Sequence, residues 1–218
     1  MHVYCISGFG ADERVFSKLE INNVEVHFIQ WLIPLKKESL QNYAGRMVAQ
    51  IHHDEPILLG LSFGGMMAIE IAKQIRTKAV VIISSIKSSV EMPFWMRIAG
   101  ATGIYHILPL RSFKVIEPLE NYNLGLETEE EKTLVSSYRK NVHPDYTRWA
   151  IHIILNWRNT WRPQNIFHIH GKKDRIFPIR RIKADSIIPG GGHMMILNRS
   201  AEINLEIQKI MKQLDKKI

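Results

Sequence analysis

Pro56-Ile57-Leu58-Leu59-Gly60-Leu61-Ser62-Phe63-Gly64-Gly65-Met66-Met67-Ala68-Ile69-Glu70-Ile71-Ala72 reads as a strand, a sharp turn and a helix. The apolar run through Leu59 suits a buried strand, and the run from Met66 suits a helix. Between them, Gly60-Leu61-Ser62-Phe63-Gly64 has the spacing of a turn that holds a serine in a strained backbone conformation. Residues two before and two after such a serine must be almost without side chains. Ser62 is therefore the candidate nucleophile. Its hydroxyl would stand above a sheet at the start of a helix, where the Phe63 N–H points outward and the helix dipole favours developing negative charge. A tight turn without chemistry is the competing reading, and the strand before and helix after the turn argue against it.

Working outward, short apolar or β-branched runs recur at 2–7, 24–31, 56–61, 79–85, 166–170 and 184–188. Helical patterns fall at 40–52, 64–75 and 201–214; in the last, Ile203, Ile207, Ile210 and Leu214 recur at spacings of three and four. This alternation predicts an α/β fold with a minimal, mostly parallel sheet of about six strands and helices on both faces. Working residues in such sheets sit on loops at the carboxyl ends of strands, where Ser62 falls.

The alternation breaks between about 87 and 162, a stretch read as a helical cap inserted into a single domain spanning 1–218. Phe94 and Trp95 open it, and Trp149, Ile153 and Trp157 follow one another at spacings of four. That stripe fits buried cap core, or alternatively the roof of an apolar pocket. Phe94, Trp95, Trp149 and Trp157 are the candidate pocket residues.

With 218 residues, 45% of them hydrophobic, the chain can bury a full core. A first strand starting at His2 leaves no room for a cleaved secretion signal, and the lone Cys5 permits no internal disulfide, so a cytoplasmic location is expected. Cys5 is read as strand core. The apolar stretch Met92 to Leu110 is broken by Arg97, His106, two glycines and two prolines, so no membrane span is expected. The net charge of +8 comes from scattered Lys and Arg without interleaved aromatics or a reading module, which argues against nucleic-acid binding. His52-His53-Asp54 shows no third clustered ligand, and no metal site is expected.

A serine hydroxyl becomes a useful nucleophile only when an imidazole takes its proton and an acid orients that imidazole. Of ten histidines, His193 stands out: it follows Gly190-Gly191-Gly192 after the last strand candidate and precedes the final helix. Asp174, in Gly171-Lys172-Lys173-Asp174-Arg175-Ile176-Phe177-Pro178, follows the fifth strand. The strand end Ser84-Ser85-Ile86-Lys87 carries no carboxylate to compete for the acid's role. The order Ser62, Asp174, His193 matches one of the known chain orders for a serine triad. The loop Ser7-Gly8-Phe9-Gly10 after the first strand offers oxyanion donors, and the backbone N–H groups of Phe9 and Phe63 are the candidate pair.

Together these four motifs make the chain resemble a small member of the α/β-hydrolase superfamily over nearly its whole length. The resemblance implies a serine hydrolase that cleaves a carboxylic ester or thioester through an acyl-enzyme on Ser62, with no metal or organic cofactor. It implies a small-molecule acyl substrate, and the basic surface leaves room for an acyl group borne on an acidic acyl-carrier protein. A C–C hydrolase or lyase with the same residues, or a ligand-binding member without turnover, are the alternatives. The chain departs from many relatives in starting near their third strand, in having Ser7 where they have histidine, and in placing Asp174 only 19 positions before His193. A serine at the elbow argues against the carboxylate-nucleophile chemistry of haloalkane dehalogenases and epoxide hydrolases.

Overall fold

A computed structural model describes residues 1–107 and 116–216; the end of the Met92–Leu110 stretch lies outside them. Six strands form one sheet: β1 (His2–Ile6), β2 (Glu25–Ile29), β3 (Ile57–Leu61), β4 (Ala79–Ile83), β5 (Ile166–Gly171) and β6 (Ser186–Ile188). Their order is β2-β1-β3-β4-β5-β6, and every pairing is parallel. The sequence-based strand positions all correspond to strands. Every residue of β3 and β4 is buried, which explains their unbroken Ile, Leu and Val runs.

Side chains leave a strand on alternate faces, and here the alternation feeds two cores. Val3, Cys5, Leu59, Val81 and Ile83 pack on one face with Ile203, Ile207, Ile210 and Leu214 of α8 (Ser200–Asp215). Tyr4, Ile6, Leu58, Val80 and Ile82 pack on the other with α1 (Leu40–Val48) and α2 (Phe63–Ala72). Ser39 caps α1 by accepting the Asn42 N–H.

Between β4 and β5 lie α3 (Phe94–Thr102), α4 (Glu117–Leu124), α5 (Glu129–Asn141) and α6 (Pro144–Asn156). A reciprocal Thr128–Glu131 capping box starts α5, and Pro144 sits at the start of α6 where its missing N–H costs nothing. The short α7 (Met195–Asn198) leads into α8. No helix among the described residues is long and apolar enough to cross a membrane.

The chain leaves β1 for the edge strand β2 and then crosses back to β3. That reversal opens a crevice between the carboxyl ends of β1 and β3, the place where ligands bind in open parallel sheets.

Candidate active site

Ser62 sits at this crevice with φ 52° and ψ −117°, a conformation rarely taken by a residue with a side chain. Its surroundings hold it there. The Ser62 N–H donates to the Ile83 carbonyl at 2.9 Å, and the Ser85 hydroxyl donates to the Ser62 carbonyl at 2.6 Å. A Cβ on Gly60 would run into the Gly64 backbone, and one on Gly64 would run into the carbonyls of Ile6 and Ser7. The two glycines let α2 start directly against β1 and β3, so Ser62 projects upward.

His193 follows β6 on a loop drawn tightly inward: a Cβ on Gly171 would meet the Gly191 carbonyl. The Met194 N–H reaches the Leu124 carbonyl at 2.9 Å. This places His193 Nε2 2.9 Å from Ser62 Oγ. On the other side of the ring, His193 Nδ1 lies 2.9 Å from Asp174 Oδ2. Because a carboxylate only accepts, Nδ1 carries the proton and Nε2 is left to accept from the Ser62 hydroxyl.

Asp174 is almost fully buried at the end of β5. Its Oδ1 accepts the N–H groups of Ile176 at 2.8 Å and Phe177 at 2.9 Å. Burial pushes this carboxyl up. The charge and hydrogen bond of His193, the neighbouring His170 and the Phe177 N–H outweigh burial and hold it below the ordinary aspartate range.

Sequence reasoning missed His170. It lies on β5, fully buried, donating from Nε2 to the Phe177 carbonyl at 2.8 Å and sitting 3.6 Å from Asp174 Oδ2. Its Nδ1 then accepts from His168 Nε2 at 3.2 Å. Burial drives both imidazoles below the ordinary histidine range, so both are neutral. Two histidines at alternate positions of a strand otherwise buried are the signal that could have found this support beneath the acid loop.

The loop after β1 is shaped by Ser7. Its hydroxyl donates to the Ala11 carbonyl at 2.6 Å and accepts the Trp31 indole N–H at 2.9 Å. Gly8 packs beside Ser62, and Phe9 follows. The Phe9 N–H has no acceptor among the described residues, and the Phe63 N–H, first in α2, has none within its helix. Both residues line the space over Ser62.

That space is a cavity of about 240 Å³, and Ser62 and His193 contribute its only polar side chains. Met96 of α3, Leu124 of α4, Val135 of α5 and Ile154 of α6 roof it, facing Met66, Ile176, Phe177 and Met194. The four aromatic residues expected to line a pocket stand elsewhere. Phe94 and Trp95 are 62% and 56% exposed on the first turn of α3. The Trp149 indole donates to the Glu38 carbonyl at 2.9 Å and stacks on Tyr43. The Trp157 indole donates to Glu70 Oε1 at 2.8 Å. The stripe fails as a roof because α6 ends at Asn156, putting Trp157 off the helix, while Trp149 faces α1 and Ile154 turns to the cavity.

No family model matches the sequence, and no curated protein matches it. Solved structures do. A thermophilic esterase from Thermogutta terrifontis superposes with a TM-score of 0.76 at 13% identity, over 98% of this chain and 90% of that one. A putative lipase from Acinetobacter baumannii gives 0.70 at 16% identity, over 100% and 85%. A bromoperoxidase from Bacillus anthracis gives 0.70 at 15% identity, over 97% and 91%. With the sheet order and the strand-to-helix turn at Ser62, these likenesses define the chain as having the α/β-hydrolase fold.

Proposed function

We propose that this chain is a serine hydrolase that cleaves a carboxylic ester or thioester of modest acyl length. The observation that carries the reading is the unbroken chain Asp174 Oδ2, His193 Nδ1, His193 Nε2, Ser62 Oγ, with 2.9 Å at both junctions, opening into an apolar cavity.

Ser62 Oγ attacks the acyl carbonyl as His193 Nε2 takes its proton, and Asp174 stabilises the imidazolium that forms. The N–H groups of Phe9 and Phe63 receive the oxyanion; one such donor contributes about 100- to 1,000-fold in rate. His193 then protonates the departing alcohol or thiol, leaving the acyl group on Ser62. Water, deprotonated by His193, attacks the acyl carbon, and collapse of the second tetrahedral intermediate returns Ser62. These steps use only side chains and backbone donors of the chain itself.

The cavity supports the substrate class. With roughly 30 Å³ per water-sized volume, 240 Å³ accommodates about eight non-hydrogen atoms, and its lining offers no charge. An acyl group carried on an acidic carrier protein would be drawn to a chain of net charge +8, with the carrier remaining outside the apolar cavity. In this reading α3 to α6 form a cap over the site. The test is a panel of ester and thioester substrates of increasing acyl length, run on parent and Ser62→Ala proteins. Turnover should peak at short to medium acyl chains and vanish in Ser62→Ala; full activity in that variant would remove the reading.

A further inference from the structure

We propose that His2, His27, His53 and Glu25 form a binding site for one divalent transition-metal ion of the zinc class. The site lies at the amino ends of β1 and β2, the opposite end of the strands from Ser62. It is independent of the proposed hydrolase activity.

The pairing of the two strands builds most of it. His2 lies opposite Glu25, and Tyr4 lies opposite His27. Residues two apart on a strand share a face, so His2, Tyr4, Glu25 and His27 all project to one side. His53 reaches the same place from the segment between α1 and β3, its ring stacked on His2 with centroids 3.4 Å apart. One nitrogen from each of the three histidines lies within 4.8 Å of the others.

The spacing fits a tetrahedral ion. Ligand atoms at 2.0–2.1 Å from zinc stand about 3.3 Å from each other at the tetrahedral angle. His2 Nδ1 and His27 Nε2 are 3.3 Å apart. The Glu25 carboxylate places one oxygen 3.4 Å from His2 Nδ1 and the other 3.6 Å from His27 Nε2. His53 Nδ1 is 2.7 Å from the Tyr4 hydroxyl, which also accepts the His52 N–H at 3.0 Å. When Nδ1 donates its proton to Tyr4, Nε2 presents a free lone pair, and such an outer partner is what orients a metal-ligating histidine.

The chemistry selects the ion. Three imidazoles and one carboxylate suit zinc, copper or nickel, whereas magnesium and calcium take oxygen ligands. All three rings are half-buried, so an ion can enter without crossing the core. Once bound, it would tie the edge strand β2 to β1 and to the segment before β3. The competing arrangement is a histidine pair that shares a proton beside Glu25 and binds nothing.

Calorimetric titration decides between them, using untagged, chelator-treated protein and zinc chloride at pH 7.5, with magnesium as control. The expected result is one zinc per chain at micromolar Kd or tighter, no response to magnesium, and a higher Tm with zinc. His27→Gln and Glu25→Gln should each weaken binding at least tenfold, and Tyr4→Phe by about tenfold. Should His27→Gln fail to fold, His53→Gln, outside any strand or helix, provides the same loss. Absence of saturable binding, equal binding of magnesium, or zinc affinity unchanged in these variants would overturn the proposal.

Discussion

Asp174 Oδ2 and His193 Nδ1 meet at 2.9 Å across a span of only 19 positions. So short a connection works because β6 has three residues and the glycine run folds back against the end of β5. The carboxylate is aimed by the Ile176 and Phe177 N–H groups, so replacing it with an amide should change the chemistry more than the packing. Asp174→Asn is expected to reduce kcat by roughly 1,000- to 10,000-fold because His193 loses the acceptor that sets its tautomer. Ester turnover alongside a thermal melt checks this; a variant within tenfold of the parent would leave Asp174 without its proposed role.

The elbow glycines are predicted to differ sharply from Gly8. Gly64→Ala would force a Cβ into the Ile6 and Ser7 carbonyls and should cost more than about 4 kcal/mol or prevent folding. A Cβ on Gly8 would meet Ser62 Cβ and the Leu61 carbonyl at 3.5 Å, ordinary contact, so Gly8→Ala should fold with little loss of stability. Urea unfolding of the two variants provides the comparison, and equal stability would contradict the packing described.

Acyl preference should respond to the cavity roof and not to the exposed aromatics. Val135→Phe and Ile154→Phe fill space over Ser62 and should shift the optimum toward shorter acyl chains. Phe94→Ala and Trp95→Ala should leave the optimum where it is. The ester panel reads both; a shift caused by Trp95→Ala alone would place the acyl group elsewhere.

Stability should fall as the pH drops below neutrality. Burial lowers the folded-state affinity of His168 and His170 for protons, while the unfolded chain binds them near the ordinary value of 6.5. Below that pH the unfolded state holds more protons, so each histidine removes up to about 1.4 kcal/mol per pH unit. Asp174, depressed in the fold, contributes stability above the ordinary value of 3.8 that is lost as the pH falls through its lower folded value. His168→Gln should flatten the slope of unfolding free energy between pH 6.5 and 5. An unchanged slope would show that His168 is not the buried neutral group.

Much of this was legible from the chain because the decisive signals are local. Unbroken apolar runs marked β3 and β4, and Gly60, Ser62 and Gly64 marked a turn whose backbone demands are set within five residues. Asp174 and His193 were reachable by asking which polar residues follow strand candidates. The roof of the cavity was not, because a helix periodicity says which residues share a face but not what that face meets. Ending α6 one residue before Trp157 and turning Ile154 inward are tertiary outcomes. The histidine cluster was illegible for a related reason: His53 finds partners 51 and 26 positions away, brought together only by the pairing of β1 with β2.

The most direct test of the central claim is intact mass after exposure to a fluorophosphonate, which traps only an activated serine. The account predicts one adduct on the parent, mapped to Ser62, and none on Ser62→Ala or His193→Ala proteins that remain folded. A folded parent that stays unmodified, or an adduct that persists in Ser62→Ala, would contradict it.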